Sequence, residues 1–299
     1  MPTPLADALT IACRRNGLDA AGAELIHHYS NAVYLLPAEP AIARIAVDAD
    51  AARLRITQKV TAWLDTEGFA ATTPLPHAEL VEVDDHTCVT FWTYYPQPDP
   101  DRHEPFTSAH LGALIKALHS TGEPPAELAD WIPLETLGRV LHTPAATAAL
   151  NADERDWLIR RLDDLRVELR ELSWPLGRGL IHGDAWAGNL LWNTTTHPAT
   201  PLLGDWDSVS RGPREVDLIP TWHAATRYGR DEAWIKAFVD QYGYDLRDGA
   251  GYNVLLTMRD LAQLPGPIRR ASSPPYAAVL RQRLGAIRAG DRTSTWVAL

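Results

Sequence analysis

At 299 residues the chain can build one large domain or two lobes with separate cores, and its 45% hydrophobic and 22% charged fractions suit an ordinary globular protein. Lys and Arg number 28 against 38 Asp and Glu; the resulting net charge of −10 disfavours nucleic acid or an anionic membrane as partner. Cys13 and Cys88 offer neither a metal-ligand spacing nor a disulfide framework, which fits a cytoplasmic location, and no apolar run approaches membrane-spanning length.

The N-terminal run is broken by Asp7 and by Arg14-Arg15, so it does not read as a secretory signal; residues 4–16 read instead as a short helix. Three β-like runs follow: Glu24–His28, Ala32–Leu36 and Ala41–Ala46. Tyr29-Ser30-Asn31 separates the first two, and a turn with Pro37 and Pro40 separates the last two. Residues 48–65 have helical spacing, with Leu54, Val60, Trp63 and Leu64 on one face. A second hairpin pairs Leu80–Val83 with Thr87–Tyr95 across Asp84-Asp85.

The four prolines of PQPDPDRHEP, residues 96–105, suit neither helix nor strand and mark a lobe boundary. Residues 1–96 are therefore expected to form one lobe with its connecting segment, and residues 97–299 the other. The second lobe reads as mostly helical. Thr107 or Ser108 caps a helix carrying Leu111, Leu114, Ile115 and Leu118, and residues 152–172 place Trp157, Leu158, Leu162, Leu165, Leu169 and Leu172 at helical intervals. Two apolar runs, Leu190–Trp192 and Pro201–Leu203, joined by NTTTHPAT, interrupt the helices as a small hairpin. Helices resume with breaks near Pro213, Pro265-Gly266-Pro267 and Pro274-Pro275. The class is α+β.

Chemistry is concentrated in LIHGDAWAGNLLW, residues 180–192, and LLGDWDSVS, residues 202–210. Polar residues stand on a turn between greasy flanks, and folding the hairpin returns Asp205 towards Asp184 and Asn189. An amide oxygen and a carboxylate, Asn189 and Asp205, are hard ligands suited to Mg²⁺. Asp184 is then left to accept the proton of an attacking hydroxyl. Phosphoryl transfer needs that inventory. A zinc pair of His182 with an aspartate lacks a third ligand at a recognised spacing, so His182 reads as structural.

His-x-Asp-x-x-x-x-Asn followed by an Asp behind a hairpin is the catalytic-loop spacing of protein kinases, with Gly183 in place of their arginine and Asp205-Trp206-Asp207 in place of Asp-Phe-Gly. These departures resemble the aminoglycoside phosphotransferase and choline kinase-like family of small-molecule kinases, as does GPREVDL at 212–218. SNAVY near residue 30, Ala43-Arg44 and LGALIKALH at 111–119 extend the resemblance over most of the chain. It implies a protein-kinase-like two-lobed fold. It also implies ATP or GTP as phosphate donor and Asp184 as base, with Asn189 and Asp205 on Mg²⁺.

By the same resemblance, Arg44 takes the place of the kinase strand lysine as a phosphate clamp, and Ser30 and Asn31 offer donors to phosphates. Adenine is expected against Trp92, Thr93, Tyr94 and Tyr95, with Leu191 as its floor. The helix glutamate that usually pairs with the strand cation is missing around Ile56-Thr57-Gln58-Lys59, which leaves Gln58 or Glu67 as partner of Arg44. Asp217 is expected to be a buried anchor for the loop. On the acceptor side, Trp222, His223, Arg227, Tyr228, Arg259 and Asp260 are candidates from the helical lobe. Trp186 either stacks on a substrate ring or wedges the loop, and Asp207 either assists the metal shell or accepts backbone hydrogen bonds.

The leading reading is a kinase acting on a hydroxyl of a small molecule such as an aminoglycoside, another antibiotic, a sugar or an amino alcohol, antibiotic resistance being one outcome. Its alternative is an inactive nucleotide-binding regulatory protein on the same fold, favoured by the missing glutamate. A metal-dependent hydrolase is a third reading, weakened by the lack of clustered histidines.

Overall fold

The computed structural model describes residues 3–28, 31–99 and 104–298. By internal contacts the chain divides into two units. The first comprises Met1–Pro105, Ser120–Leu128 and Gly188–Val209; the second comprises Phe106–His119, Ala129–Ala187 and Ser210–Leu299.

In the first unit, helix α1 (Leu5–Asn16) precedes strands β1 (Glu24–His28), β2 (Ala32–Leu36) and β3 (Ala41–Val47). Helix α2 (Ala51–Thr66) follows, then the hairpin of β4 (Val81–Asp84) and β5 (Thr87–Thr93). The strands form one antiparallel sheet in the order β1-β2-β3-β5-β4. Ala8, Leu9, Ala12 and Cys13 recur on one side of α1 and pack with Leu36, Ala43, Ile45, Val89 and Phe91 of the sheet. Gly17 ends that helix at φ 69°, a left-handed position at which a Cβ is unfavourable. Helix α2 starts later than the expected residue 48 because Asp50 caps it, accepting from the backbone N–H groups of Ala52 and Arg53.

The second unit contains helices α3 (Ser108–His119), α4 (Glu135–Val140), α5 (Pro144–Ala149) and α6 (Ala152–Glu171), then strand β6 (Arg178–Ile181). The chain next runs through the first unit as the hairpin of β7 (Leu190–Asn193) and β8 (Thr200–Leu203). It returns to the second unit with β9 (Ser210–Pro213) and helices α7 (Glu215–Arg227), α8 (Glu232–Tyr242), α9 (Tyr252–Ala262), α10 (Pro265–Arg269) and α11 (Pro274–Ala289). Asn151 and Glu154 close a reciprocal capping box at the start of α6, and Leu158, Leu162, Leu165 and Leu169 bury its apolar stripe. Strands β6 and β9 pair antiparallel over four residues.

The fold is α+β, a small antiparallel sheet in the first unit and mainly helices in the second. The helical run is broken near 265 and 274 as expected, and the prolines there open α10 and α11, since the first helical turn needs no N–H from them. Among the described residues, no helix is long and apolar enough to cross a membrane.

Helices α3 and α8 meet at Gly112, where an added Cβ would stand 2.7 Å from the carbonyl oxygen of Phe238. Gly112→Ala is expected to cost about 1–3 kcal/mol by forcing the helices apart. Gly285, inside α11 with nothing within 4 Å of an added Cβ, is the control. Gly285→Ala should stabilise by about 0.5–1 kcal/mol. Urea titrations of both variants measure the contrast, and equal shifts would refute the tight crossing.

Candidate active site

The β7–β8 hairpin of the first unit pairs Leu190 with Leu203. Pairing continues one step past the strands, where the Gly204 N–H donates to the Asn189 carbonyl at 2.8 Å. Asp205 is the next residue, so the register that aligns the apolar strands also delivers the amide of Asn189 and the carboxylate of Asp205 to the same end of the hairpin. Asp205 takes a left-handed conformation, φ 58° and ψ 60°, and turns the chain into the short helical turn Trp206–Ser208. Trp206 fixes that turn. It is buried, donates Nε1–H to the Leu203 carbonyl at 2.9 Å and meets the Phe69 ring edge-on at 5.9 Å.

Arg44 lies mid-strand in β3, and its guanidinium reaches this turn. Nη1 and Nη2 donate to the two oxygens of Asp207 at 2.8 and 2.5 Å, and Nη2 also donates to Asp205 at 2.8 Å. Asn31 donates Nδ2–H to the same Asp207 at 3.0 Å. The partners of Arg44 are therefore these aspartates, and neither Gln58 nor Glu67 takes that place. Burial alone would lower the Arg44 pKa; the charges of Asp207 and Asp205 and their hydrogen bonds reverse the shift and keep it charged. Ser30 lies outside the described residues.

The segment after β5 is pinned within the same unit. Thr93 N–H donates to Thr73 O and Tyr94 N–H to Pro40 O, at 2.9 and 3.0 Å. Gln97 donates Nε2–H to the carbonyls of Tyr95 and Trp192 and accepts from the Trp192 N–H at 2.8 Å, tying the segment to the β7–β8 hairpin. Leu191 is half-buried on that hairpin, paired with Leu202. The Trp92 indole is turned inward, buried and bonded to Thr90 Oγ1 at 2.9 Å, so only its backbone remains for a ligand.

In the second unit the loop after β6 hangs on Asp217 of α7. This fully buried carboxylate accepts the His182 N–H at 2.8 Å and the Gly183 N–H at 2.7 Å, while His119 approaches it at 3.1 Å through Nε2. His182 is itself buried, its Nδ1 facing the Asp184 N–H at 3.3 Å. Gly183 sits at φ 82°, a left-handed position that favours glycine over a residue with a side chain. Asp184 follows with its carboxylate 38% exposed and bonded through Oδ1 to Arg259 Nη1 of α9 at 2.6 Å. Trp186 is 48% exposed and therefore does not wedge the loop into a core.

Most of the expected acceptor-side group proves to be interior. Trp222 is fully buried and packs edge-on against Phe238 at 5.5 Å. His223 and Arg227 turn inward on Asp260, which accepts from His223 Nε2 at 3.1 Å, from Arg227 Nε and Nη2 at 2.9 and 2.8 Å, and from Arg292 Nη1 at 2.5 Å. Trp222 is closed off by burial, and His223, Arg227 and Asp260 bond one another away from solvent, so these four residues cannot meet a substrate. Tyr228 is partly buried against the His223 ring at 5.7 Å, and burial raises its pKa. The family resemblance points to these side chains by their place in the helical lobe, but a buried Asp–Arg–His cluster is as polar in sequence as a cleft lining.

An amide and a carboxylate at one hairpin end suit a hard divalent cation. Among the described residues, no group of three or more His, Cys, Asp or Glu is placed to hold a metal ion.

A small antiparallel sheet unit carrying Arg44, Asn189 and Asp205 and a helical unit carrying an Asp184 loop define a kinase-like phosphotransferase fold. Solved structures agree. The chain is similar to a microcompartment-associated aminopropanol kinase, 20% identical over 95% of this chain and 98% of that one, with a TM-score of 0.71. It is similar to amicoumacin kinase hAmiN in complex with AMP-PNP, Ca²⁺ and Ami, 15% identical over 92% and 90%, at 0.69. Aminoglycoside phosphotransferase APH(3'')-Id from Streptomyces rimosus is 18% identical over 87% of this chain and 99% of that one, at 0.63. No curated protein matches the sequence significantly. The profile of the phosphotransferase enzyme family, APH, matches residues 22–254, and the chain belongs to that family of small-molecule kinases.

Burial pushes the His223 imidazole from 6.5 down to about 4, Asp260 opposing. On acidification the unfolded chain takes up this proton first. The associated stability is thus complete above about pH 6.5 and is lost between 6.5 and about 4. His223→Gln keeps a donor for Asp260 without the titration, so its melting temperature should fall less than that of the wild type over this window. Calorimetry across pH checks it, and parallel slopes would refute it.

Proposed function

We propose that the protein transfers the γ-phosphate of ATP, or of GTP, to a hydroxyl of a small organic molecule. The observation that carries this reading is the convergence of Arg44, Asp205, Asp207 and Asn31 at the end of the hairpin that also presents Asn189. Such a concentration of one cation and hard oxygen donors suits a polyphosphate with its Mg²⁺. Residues 1–96 serve as the nucleotide-binding lobe and residues 97–299 as the catalytic and acceptor-binding lobe. Asn31 faces the phosphates, Arg44 clamps them, and the backbone of Trp92–Tyr95 reads the base above Leu191.

Asn189 and Asp205 would hold Mg²⁺, which when bound offsets the negative charge of the phosphates. Asp184 orients the acceptor hydroxyl and takes its proton as the new oxygen–phosphorus bond forms and the bond to the leaving diphosphate breaks, with ADP or GDP departing. Asp207 is the counter-ion that aims Arg44, the task of the helix glutamate in protein kinases. With that partner supplied, the main argument for an inactive regulator falls away. Trp186, exposed two residues beyond Asp184, offers an aromatic face to the acceptor. An amino alcohol, sugar, aminoglycoside or other antibiotic scaffold all meet these requirements. The work belongs in the cytoplasm, where the donor nucleotide is abundant, and calls for neither nucleic acid nor membrane.

ADP release should appear on adding a hydroxyl compound from a panel of sugars, aminoglycosides, nucleoside antibiotics and amino alcohols. Asp184→Ala should lower kcat by about 10²–10⁴-fold while nucleotide binding persists; a variant of near-normal activity would sink the role of Asp184. Asp207→Asn should raise the nucleotide KM about tenfold, since it removes a charged partner of Arg44 and leaves Asp184 intact. An unchanged nucleotide KM in that variant would show that Arg44 is aimed by something else.

A further inference from the structure

Asp184 is held from two directions within the second unit, and only one of them was foreseeable from the loop itself. Its backbone is fixed by Asp217, which accepts the N–H groups of the two preceding residues. Its side chain is met by Arg259 from α9, through Nη1 to Oδ1 at 2.6 Å. The position of Arg259 is in turn fixed by its neighbour. Asp260 is 2% exposed and takes hydrogen bonds from His223 and Arg227 of α7 and from Arg292 beyond α11, so the helix cannot rotate without breaking that cluster. Adjacent residues of a helix point in different directions. Here Asp260 points into the core and Arg259 reaches the loop. One restraint on Asp184 thus comes from α7 through Asp217, and the other from α9, which His223 and Arg227 of α7 and Arg292 hold through Asp260.

We propose that Arg259 is a positioning residue for Asp184: it binds Oδ1 and holds the carboxylate turned in one direction for the acceptor hydroxyl. This inference rests on the phosphotransfer reading. It also moves Arg259 from the substrate-contacting role expected of it to one exerted through Asp184. A planar guanidinium suits the task because it is always charged and its donors have fixed directions. In phosphoryl transfer there is little covalent chemistry for the protein to perform, so the aim of the nucleophile's partner matters more than its raw basicity. The pair is partly exposed, 15% for Arg259 and 38% for Asp184, so it contributes little to folding and its loss leaves a folded protein.

The test is steady-state kinetics of Arg259→Gln and Arg259→Lys with an acceptor from the panel, together with Asp184→Asn and the Asp184→Asn/Arg259→Gln double variant. Arg259→Gln should lose about 10–100-fold in kcat, with the KM of acceptor and nucleotide within about threefold of wild type. Arg259→Lys should recover most of kcat, and Arg259→Gln should cost nothing further once Asp184 is Asn. An unchanged kcat, a loss confined to the acceptor KM, or the same fold-loss in the Asp184→Asn background would each overturn the inference. Wild-type protein that releases no ADP with any acceptor would overturn the phosphotransfer reading instead. Thermal melts of the wild type, Arg259→Gln, Asp184→Asn and the double variant still read the pair in that event: non-additive shifts support it, and additive shifts remove it.

Discussion

Everything in the Asp184 loop depends on one buried carboxylate. Asp217 has no access to water and spends its two oxygens on consecutive backbone N–H groups, with the His119 ring beside it. A buried aspartate is costly unless its lone pairs are filled, and a tight loop is costly unless its N–H groups are accepted. Each solves the other's problem. The glycine at 183 makes the arrangement possible, because a left-handed residue is needed to bring successive N–H groups to one acceptor. The loop is therefore a consequence of where α7 places Asp217.

The first unit solves a different electrostatic problem. Asp205 and Asp207 stand two residues apart, and their mutual repulsion is balanced by Arg44 from the centre of the sheet. The strand carries no lysine because a guanidinium, unlike an ammonium, meets both oxygens of Asp207 at once and still reaches Asp205. Trp206, between the two aspartates, does the apolar half of the work, anchoring the turn against Phe69 so that the carboxylates on either side stay presented.

Local patterns in the sequence resolve the strands of the first unit, the capped α6 helix and the β7–β8 hairpin, because each is encoded by residues a few positions apart. Long-range pairings resist such reading. Strand β9 has no apolar alternation, and it is recognisable only against β6, where Gly212 lies so close to Ile181 that an added Cβ would stand 2.5 Å from it. The family resemblance leaves Gln58 or Glu67 as the partner of Arg44, whereas Asp207 lies 163 positions along the chain. The same limit separates the site residues. Spacing singles out Asp184, Asn189 and Asp205 as candidates, while the candidacy of Trp222, His223, Arg227 and Asp260 lasts only until their burial is known.

The left-handed backbone of Asp205 has an evolutionary corollary. An L-residue with a side chain pays roughly 1 kcal/mol to stay at φ 58°, and glycine would occupy that turn more comfortably. Selection for foldability by itself would erase the carboxylate there. The carboxylate at this turn is therefore carried at a cost to folding, and Asp205→Gly is the exchange that would relieve the backbone while removing the charge.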